Sequence, residues 1–263
     1  MTKKKIQKKQ LQKPRKRKKT AVSDTPVHPW RVCPYGQHQV IEHPRHNPPS
    51  KSHPEGSISN VRWYCAHNPS GKDQLYPDEI QEVAAQHFSN LKNIPCPIDL
   101  GFKGKGKKYD DLIAGWVQYW NEVLKPDQPL DPNLVKALIA SESGFDPNKM
   151  YNKKDSNSAR GLMQITNDSR KLMDDPTELK DHYITVTKED LNDPAVNICA
   201  GVRWLFRKRE IASAVRLKRQ ATWTEAAEEY KGDLQDLLDG NKKAQKDVKP
   251  FLKYLSEVEK CKK

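Results

Sequence analysis

The chain has 263 residues and a formal net charge of +13 at pH 7, from 47 Lys and Arg against 34 Asp and Glu. Eleven of the basic residues and none of the acidic ones lie in residues 1–20, so the remainder of the chain is nearly neutral. This distribution excludes the interpretation that the whole chain is a basic nucleic-acid-binding protein. The sequence also contains no apolar run that would form a secretory signal or a transmembrane span.

The first predicted segment is a basic tail over residues 1–26. It has too few apolar residues to bury a core, so we expect it to be disordered. Three interpretations remain open: a solvated arm, a segment attracted to an anionic polymer, membrane surface or nucleic acid, and an address that an export machine reads.

Residues 27–98 are rich in proline, histidine and cysteine and are expected to form a small, loop-rich accessory domain. Short strands are predicted around Gln39–Glu42 and Val61–Tyr64. One helix is predicted over residues 77–92, with Pro77 in its first turn. The expected core of this domain is aromatic and consists of Trp30, Tyr35, Trp63 and Tyr64.

Cysteines and histidines cluster in the same block, which raises the question of a zinc site. The candidates are Cys33, His38, His43, His46, His53, Cys65 and His67. Their spacing fits no standard zinc finger, so a domain without metal is the prediction and zinc is the alternative. The chain has five cysteines, and this odd number does not indicate a disulfide framework. We expect Cys199 to be a small core residue and Cys261 to be a free thiol.

Residues 99–263 form the third predicted unit, which is mainly α-helical. The glycine- and lysine-rich stretch 101–108 is expected to be a linker or an exposed loop. Helices are predicted over residues 109–124, from Asp131-Pro132 to Glu142, from Asp193-Pro194 through Leu205, and over 246–260. A further helix is predicted to begin at a capping box, Thr222 with Glu225, and to stop at Gly232.

Glu142 is the residue in this unit that best fits a general acid. It shares the apolar face of its helix with Leu134 and Leu138 and lies at the negative end of the helix dipole. Both effects favour the protonated carboxylic acid, which is the form that donates a proton to a glycosidic oxygen. Spacing alone also fits an ordinary exposed glutamate at a helix end.

Four segments in order change this balance: ALIASESGFDP (137–147), ARGLMQIT (159–166), NICAGVRWLFRKRE (197–210) and WTEAAEEYKG (223–232). Together they resemble the soluble lytic transglycosylase family, which is related in fold to goose-type lysozyme. The resemblance spans residues 131–232. It implies a lysozyme-like catalytic domain, so the expected fold is mainly α with a small accessory domain before it.

The resemblance also implies roles for single residues. Glu142 matches the catalytic acid/base, and Ser143 matches a serine beside it that contacts the substrate or the reaction intermediate. Met163 and Gln164 match residues that line the sugar groove, and Tyr230 matches a tyrosine that faces the glutamate. Gly161 and Asn197 match structural positions, a tight turn and a polar contact at a helix start.

Two positions depart from the family pattern. Lys231 stands where the family usually has asparagine, which affects contacts around the glycan. Ser158 stands where the family usually has glycine, which bears on the loop backbone. Met163 and Tyr230 also have ordinary interpretations as core residues.

The implied reaction is cleavage of the β-1,4 bond between N-acetylmuramic acid and N-acetylglucosamine in peptidoglycan. In lytic transglycosylases one glutamate protonates the leaving oxygen and then helps the 6-hydroxyl of the sugar close a 1,6-anhydro ring. The alternative is a muramidase that hydrolyses the same bond, with Asp146, Asp155 or Asp168 positioning water. A non-catalytic module that binds glycan or a partner protein is a second alternative. No cofactor is implied, and no metal is expected at the site.

The substrate lies outside the cytoplasm, yet the sequence shows no signal peptide. We therefore expect specialised export to the periplasm or cell wall, either as an antibacterial effector delivered into a rival cell or as a phage or mobile-element wall enzyme. A secretion-system or immunity protein is then a candidate partner. Nucleic acid is expected as a partner only through the basic tail.

Overall fold

The computed structural model describes residues 26–262, with the side chain of Lys262 left out. The predicted disordered tail therefore lies outside the described residues, except for Pro26. No helix within residues 26–262 combines the length and the apolarity that crossing a membrane requires.

Residues 26–75 contain short strands rather than helices. β1 (Gln37–Val40) pairs antiparallel with β4 (Tyr64–His67), and β2 (His43–Asn47) pairs antiparallel with β3 (Ser57–Val61). A fifth strand, β5 (Gln74–Leu75), pairs in parallel with the later strand β6 (Tyr183–Ile184). Short strands were predicted in this region. The hairpin formed by β2 and β3, which lies between β1 and β4 in the sequence, was not predicted.

The rest of the chain is mainly helical, as predicted. Its helices are α1 (Pro77–His87), α2 (Asp110–Leu124), α3 (Pro132–Glu142), α4 (Asn167–Leu172), α5 (Pro194–Ile211), α6 (Trp223–Lys231), α7 (Leu234–Leu238) and α8 (Lys242–Glu259). A π-helical turn, Ala212–Leu217, follows α5. Single 3₁₀ turns lie at Lys105–Lys107, Asp190–Asn192 and Lys260–Lys262.

The helix boundaries follow from local capping signals. Asp131 and Asp193 accept hydrogen bonds from the first-turn amides of α3 and α5, and each precedes a proline at the first helical position. Thr222 and Glu225 form the capping box of α6, and Gly232 ends that helix with φ +84°. These predictions are confirmed. Helix α8 begins earlier than the predicted residue 246, because Asn241 caps it through the Lys243 amide.

One hydrophobic core runs through the helical part. Helix α2 contributes Trp116, Tyr119 and Trp120, all fully buried, and Trp120 donates its indole N–H to the Cys199 carbonyl of α5 at 3.0 Å. Cys199 is itself buried, as predicted. Helix α3 packs along α8 and against α2 and α6, and α5 packs against α1, α2 and α6. This arrangement encloses α3 up to its last turn, where Glu142 lies.

The predicted division at residues 98 and 99 separates elements that share this core. Leu75, Ile80, Val83 and Phe88 pack in the same cluster as the buried residues of α2, α3 and α5. The segment from β5 onward therefore belongs to the helical body. We propose that the accessory part is limited to residues 27–73.

A buried ionic cluster fastens the accessory part to the helical body. The Arg31 guanidinium is fully buried and pairs with Asp73 and, at 2.7 Å, with Glu79 of α1. Asp73 also accepts a hydrogen bond from the His182 ring at 2.9 Å. Because each of these charges has a buried partner, the cluster avoids the cost of an isolated buried charge.

The cysteine prediction is wrong in two respects. Cys33 is linked to Cys65, and Cys96 is linked to Cys261, so Cys261 is not a free thiol and only Cys199 is unpaired. Pairs separated by 32 and 165 residues leave no local sequence signal. The first disulfide also removes two of the candidate zinc ligands. Within residues 26–262, no group of three or more His, Cys, Asp or Glu side chains is arranged to hold a metal ion.

The predicted aromatic core of the accessory domain is also wrong in part. Trp63 and Tyr64 are about half exposed, at 57% and 49%. Trp30 instead packs at the edge of the main core, against Phe88. A two-stranded hairpin is too small to bury large aromatic rings on its own. These residues therefore either join the larger core or stay at the surface.

The glycine- and lysine-rich stretch is an exposed loop, as predicted, but it is anchored. Phe102 packs edge to face against the buried Phe145 ring, with centroids 5.3 Å apart. A side chain at Gly144 would lie 2.9 Å from the Phe102 ring. The loop therefore covers the turn that follows Glu142.

Candidate active site

Glu142 is the last residue of α3, and its side chain is 17% exposed. The residues of α3 before its last turn are buried and hold the helix in the core. Ser143 then ends the helix, and the chain turns through Gly144 and Phe145, both with positive φ. This turn leaves the carboxylate at the edge of the core, where it is partly accessible.

Lys231 is the direct partner of Glu142. Its ammonium donates a hydrogen bond to Glu142 Oε1 at 2.7 Å, and its side chain is 13% exposed. Lys231 is the last residue of α6, so this ion pair joins the carboxyl-terminal ends of α3 and α6.

Tyr230 precedes Lys231 on α6 and lies within electrostatic range of the same carboxylate. Its hydroxyl donates a hydrogen bond to the Met163 carbonyl at 2.8 Å. Burial raises the pKa of Tyr230 well above its usual range, and the Glu142 carboxylate acts in the same direction. The phenol therefore stays neutral, and it couples α6 to the loop that carries Met163.

The loop over residues 161–164 contacts Tyr230 through the Met163 carbonyl. Gly161 has φ +74° and Gln164 has φ +49°, so the chain turns tightly at both ends. The Gln164 side chain donates hydrogen bonds to the carbonyls of Gly161 at 2.7 Å and Lys149 at 3.0 Å. These contacts hold Gln164 in the left-handed backbone region, which is unfavourable for a residue with a side chain.

Asn197 of α5 fixes this loop from the core side. It accepts a hydrogen bond from the Met163 amide and donates to the carbonyls of Arg160 and Leu191. A Cβ at Gly161 would lie 2.2 Å from the Asn197 amide nitrogen, so only glycine fits there. The structural roles predicted for Gly161 and Asn197 are consistent with this geometry.

The other predicted site residues are placed as follows. The Met163 side chain is fully buried and packs against Gly201. Met163 contacts Tyr230 through its backbone carbonyl and not through its side chain. Ser143 is partly buried and donates its hydroxyl to the Ile139 carbonyl at 3.2 Å. Contact of either side chain with glycan stays a prediction.

Ser158 occupies the family's glycine position without strain. It is not among the residues with positive φ, and its hydroxyl accepts a hydrogen bond from the Asn152 amide at 2.7 Å. The position therefore accepts a side chain in this protein, and the hydroxyl holds the loop over residues 152–158.

The three candidate aspartates for positioning water lie in local turns. Asp146 accepts a hydrogen bond from the Asn148 amide at 3.0 Å, and Asp155 accepts one from the Asn157 amide at 2.8 Å. Asp168 is exposed in the first turn of α4. Each has a structural position of its own that does not involve Glu142.

Two sizeable clefts open elsewhere on the molecule. One, of about 500 Å³, lies between Trp63 and α1, and the other, of about 900 Å³, lies beside α2 and Leu130. Glu142 is not among the residues that line either cleft. The candidate site therefore rests on the contact of Glu142 with Lys231 and not on cleft size.

The contact between Lys231 and Glu142 was not predicted from the sequence. Lys231 was noted only as a departure from the family pattern. The available signal was its position next to Tyr230, since a residue that follows the tyrosine facing the glutamate lies close to that glutamate.

Comparison with known families agrees with this geometry. Residues 119–231 match the model of the transglycosylase SLT domain, a range that begins in α2 and ends at Lys231. No curated protein sequence matches the chain. The matched range contains Glu142, the loop over 161–164, Asn197 and Tyr230, which are the segments that the structure brings together. This part of the chain is therefore a transglycosylase SLT domain of the lysozyme-like superfamily, whose family-level activity is cleavage of peptidoglycan glycan strands.

Proposed function

We propose that the protein is a peptidoglycan lytic transglycosylase in which Glu142 is the catalytic acid/base. It cleaves the β-1,4 bond between N-acetylmuramic acid and N-acetylglucosamine and leaves 1,6-anhydromuramic acid ends. One observation carries the proposal: Lys231 of α6 donates a hydrogen bond to the partly exposed Glu142 of α3, and the neighbouring Tyr230 donates one to the Met163 carbonyl of the loop over 161–164.

The chemistry requires one carboxyl group that changes its protonation state twice. Protonated Glu142 donates its proton to the glycosidic oxygen, so the N-acetylglucosamine side leaves as an alcohol. The resulting carboxylate then accepts the proton of the muramic acid 6-hydroxyl as that oxygen attacks C1. The ring closes, no water is consumed, and Glu142 regains the proton.

The surroundings of Glu142 favour this reaction over hydrolysis. Glycan hydrolysis normally uses a second carboxylate as nucleophile or as base for water. Here the described hydrogen-bond partner of Glu142 is an ammonium group, while Asp146 and Asp155 are hydrogen-bonded within their own turns. These contacts support anhydro-ring formation.

Ser143, Gln164 and Tyr230 are proposed to contact the glycan, with Met163 supporting them. The carbonyl of Met163 orients the Tyr230 hydroxyl, and the Gln164 amide holds the loop in its turn. Substrate groups can reach the exposed parts of Ser143 and Gln164, which are only partly buried.

The two disulfides support action outside the reducing cytoplasm. Disulfides form and persist in oxidising compartments such as the periplasm. Peptidoglycan is found in the same compartment, so the cysteine pairing and the proposed substrate agree. The route of export, including delivery into a rival cell, and any immunity partner stay predictions.

The assignment of Glu142 is tested by substitution. Glu142→Gln keeps the size of the side chain but removes the transferable proton, so digestion of purified cell-wall sacculi should fall by at least about a thousandfold. Glu210→Gln is the matched control, because Glu210 also lies near a helix end but is 61% exposed and pairs with Arg207 on the same helix. Sacculus digestion by Glu142→Gln at the rate of Glu210→Gln, with both variants folded, would refute the assignment.

A further inference from the structure

The ion pair between Glu142 and Lys231 creates a conflict with the proposed reaction. In the first step the Glu142 carboxyl group has to reach the glycosidic oxygen, yet its Oε1 accepts a hydrogen bond from the Lys231 ammonium at 2.7 Å. An asparagine, which the family usually has at this position, makes no such ion pair. This contact must therefore open before Oε1 can approach the substrate.

The Lys231 ammonium is able to take a second anionic partner. An ammonium has three N–H donors. Within residues 26–262, Lys231 uses one of them on Glu142 and has no other hydrogen-bond acceptor. Its side chain is 13% exposed, so an anionic group of a substrate in the site can reach it without unfolding α6.

The proposed substrate carries carboxylates on one of its two sugars only. Muramic acid bears a lactyl group, whose carboxylate is free where the stem peptide has been removed and is an amide where the peptide is present. The stem peptide has carboxylates of its own. N-acetylglucosamine carries none, so a carboxylate contact would report which sugar lies next to Glu142.

We propose that Lys231 is a specificity-determining residue that binds a carboxylate carried by the muramic acid unit. This proposal rests on the proposed function. On binding, Lys231 exchanges Glu142 for the substrate carboxylate, so the Glu142 carboxyl group is released toward the glycosidic oxygen. Neutral glycans bind without this exchange.

The test uses the full-length chain and three glycan substrates of matched length. The first is amidase-treated strands with free lactyl carboxylates, and the second is the same strands with those carboxylates converted to methylamides. The third is strands that keep their stem peptides. The value of kcat/KM is measured on each for the unchanged protein, Lys231→Asn and Lys231→Arg.

We expect the unchanged protein to prefer one of the two anionic substrates over the methylamide strands by about tenfold, the effect of one charge-assisted hydrogen bond. Lys231→Asn should remove this preference, and Lys231→Arg, which keeps the charge, should retain most of it. A preference for the amidase-treated strands assigns the lactyl carboxylate, and one for the peptide-bearing strands assigns a stem-peptide carboxylate. Either result supports the proposal if it depends on Lys231.

Equal ratios in the unchanged protein and in Lys231→Asn would overturn the proposal. That outcome differs from failure of the proposed function, in which the unchanged protein cleaves none of the three substrates. Folding of each variant is checked by thermal unfolding, and a purely structural role of Lys231 would lower activity on all substrates alike.

Discussion

The side-chain amide of Asn197 holds the backbone of the loop at Met163. Asn197 is 1% exposed, accepts the Met163 N–H at 2.8 Å, and donates to the carbonyls of Leu191 at 2.8 Å and Arg160 at 3.1 Å. Since Met163 in turn accepts the Tyr230 hydroxyl, one buried amide connects α5, the loop and Tyr230 of α6.

Replacement of Asn197 by alanine should lower both stability and activity. It leaves the Met163 amide and the Leu191 carbonyl without partners and removes one of the two hydrogen bonds that the Arg160 carbonyl accepts, and we expect a loss of about 3 kcal/mol in the free energy of unfolding. Asn121→Ala is the control, because Asn121 makes two comparable hydrogen bonds to Leu130, away from the site. Chemical denaturation and sacculus digestion of the folded protein are the measurements. Full activity of folded Asn197→Ala would contradict the role of this amide in the site.

Gly161→Ala should be more destabilising than an equivalent change elsewhere. The new Cβ would lie 2.6 Å from the Leu191 carbonyl, in addition to the cost of φ +74° for a residue with a side chain. Gly240→Ala has a similar φ of +76° but open space around it, so only the backbone cost of about 1 kcal/mol applies. We expect at least about 2 kcal/mol more for Gly161→Ala, measured by denaturant unfolding. Equal losses would show that the loop relaxes around the methyl group.

The cysteine pairing is tested by counting thiols. Denatured protein without reductant should react with one equivalent of a thiol reagent, at Cys199, and with five equivalents after reduction. The reduced protein should also unfold at a lower temperature, because each disulfide restricts the unfolded chain and typically contributes about 2–4 kcal/mol. Three or five reactive thiols before reduction would show that one or both disulfides are absent from the purified protein.

The capping box of α6 predicts a dependence of stability on acid. The Arg219 side chain, together with hydrogen bonds from Thr222, lowers the pKa of Glu225 from 4.5 to about 2. Because the folded-state pKa is depressed, the stabilisation is present above pH 4.5 and is lost as pH falls from there toward 2. Glu225→Gln should remove about 1 kcal/mol of this dependence, a value reduced for solvent screening.

The measurement is the free energy of unfolding at several pH values from 6 to about 2 for the unchanged protein and Glu225→Gln, with Glu189→Gln as an exposed control. Glu189 is 67% exposed and pairs loosely with Lys188, so its replacement should leave the curve unchanged. Parallel curves for the unchanged protein and Glu225→Gln would contradict the assigned effect.

Local signals allowed much of the helical part to be predicted. Asp131, Asp193 and Thr222 are capping residues whose effect is limited to one helical turn, so the sequence is sufficient to locate those starts. The ends of α3 and α6 follow from the same kind of reasoning. Glu142 was identified because its phase on α3 and the following motifs point to the same residue.

The cysteine and ion-pair misses depend on contacts between distant segments. The partner of Cys96 is 165 residues away, and that of Cys33 is 32 residues away. The sequence indicated a helix that contains Lys136 but not its environment. Its side chain is fully buried and pairs with Asp110 at 2.9 Å. Neither spacing nor composition indicates which distant residue completes such a pair.

The accessory part shows the same limit in another form. Aromatic residues predict a core, but they do not say which core. Trp30 joins the helical body, whereas Trp63 stays at the surface. The β-hairpins are too small to bury aromatic side chains on both of their faces. Which aromatic residue is buried therefore depends on the tertiary arrangement and not on the residue type.

The most direct test of the central claim is the product chemistry of intact sacculi digested with the full-length protein. Mass spectrometry of the released fragments should find 1,6-anhydromuramic acid ends, each lighter by one water molecule than a reducing end, and Glu142→Gln should release none. Fragments with ordinary reducing ends, or unchanged release by Glu142→Gln, would contradict the account.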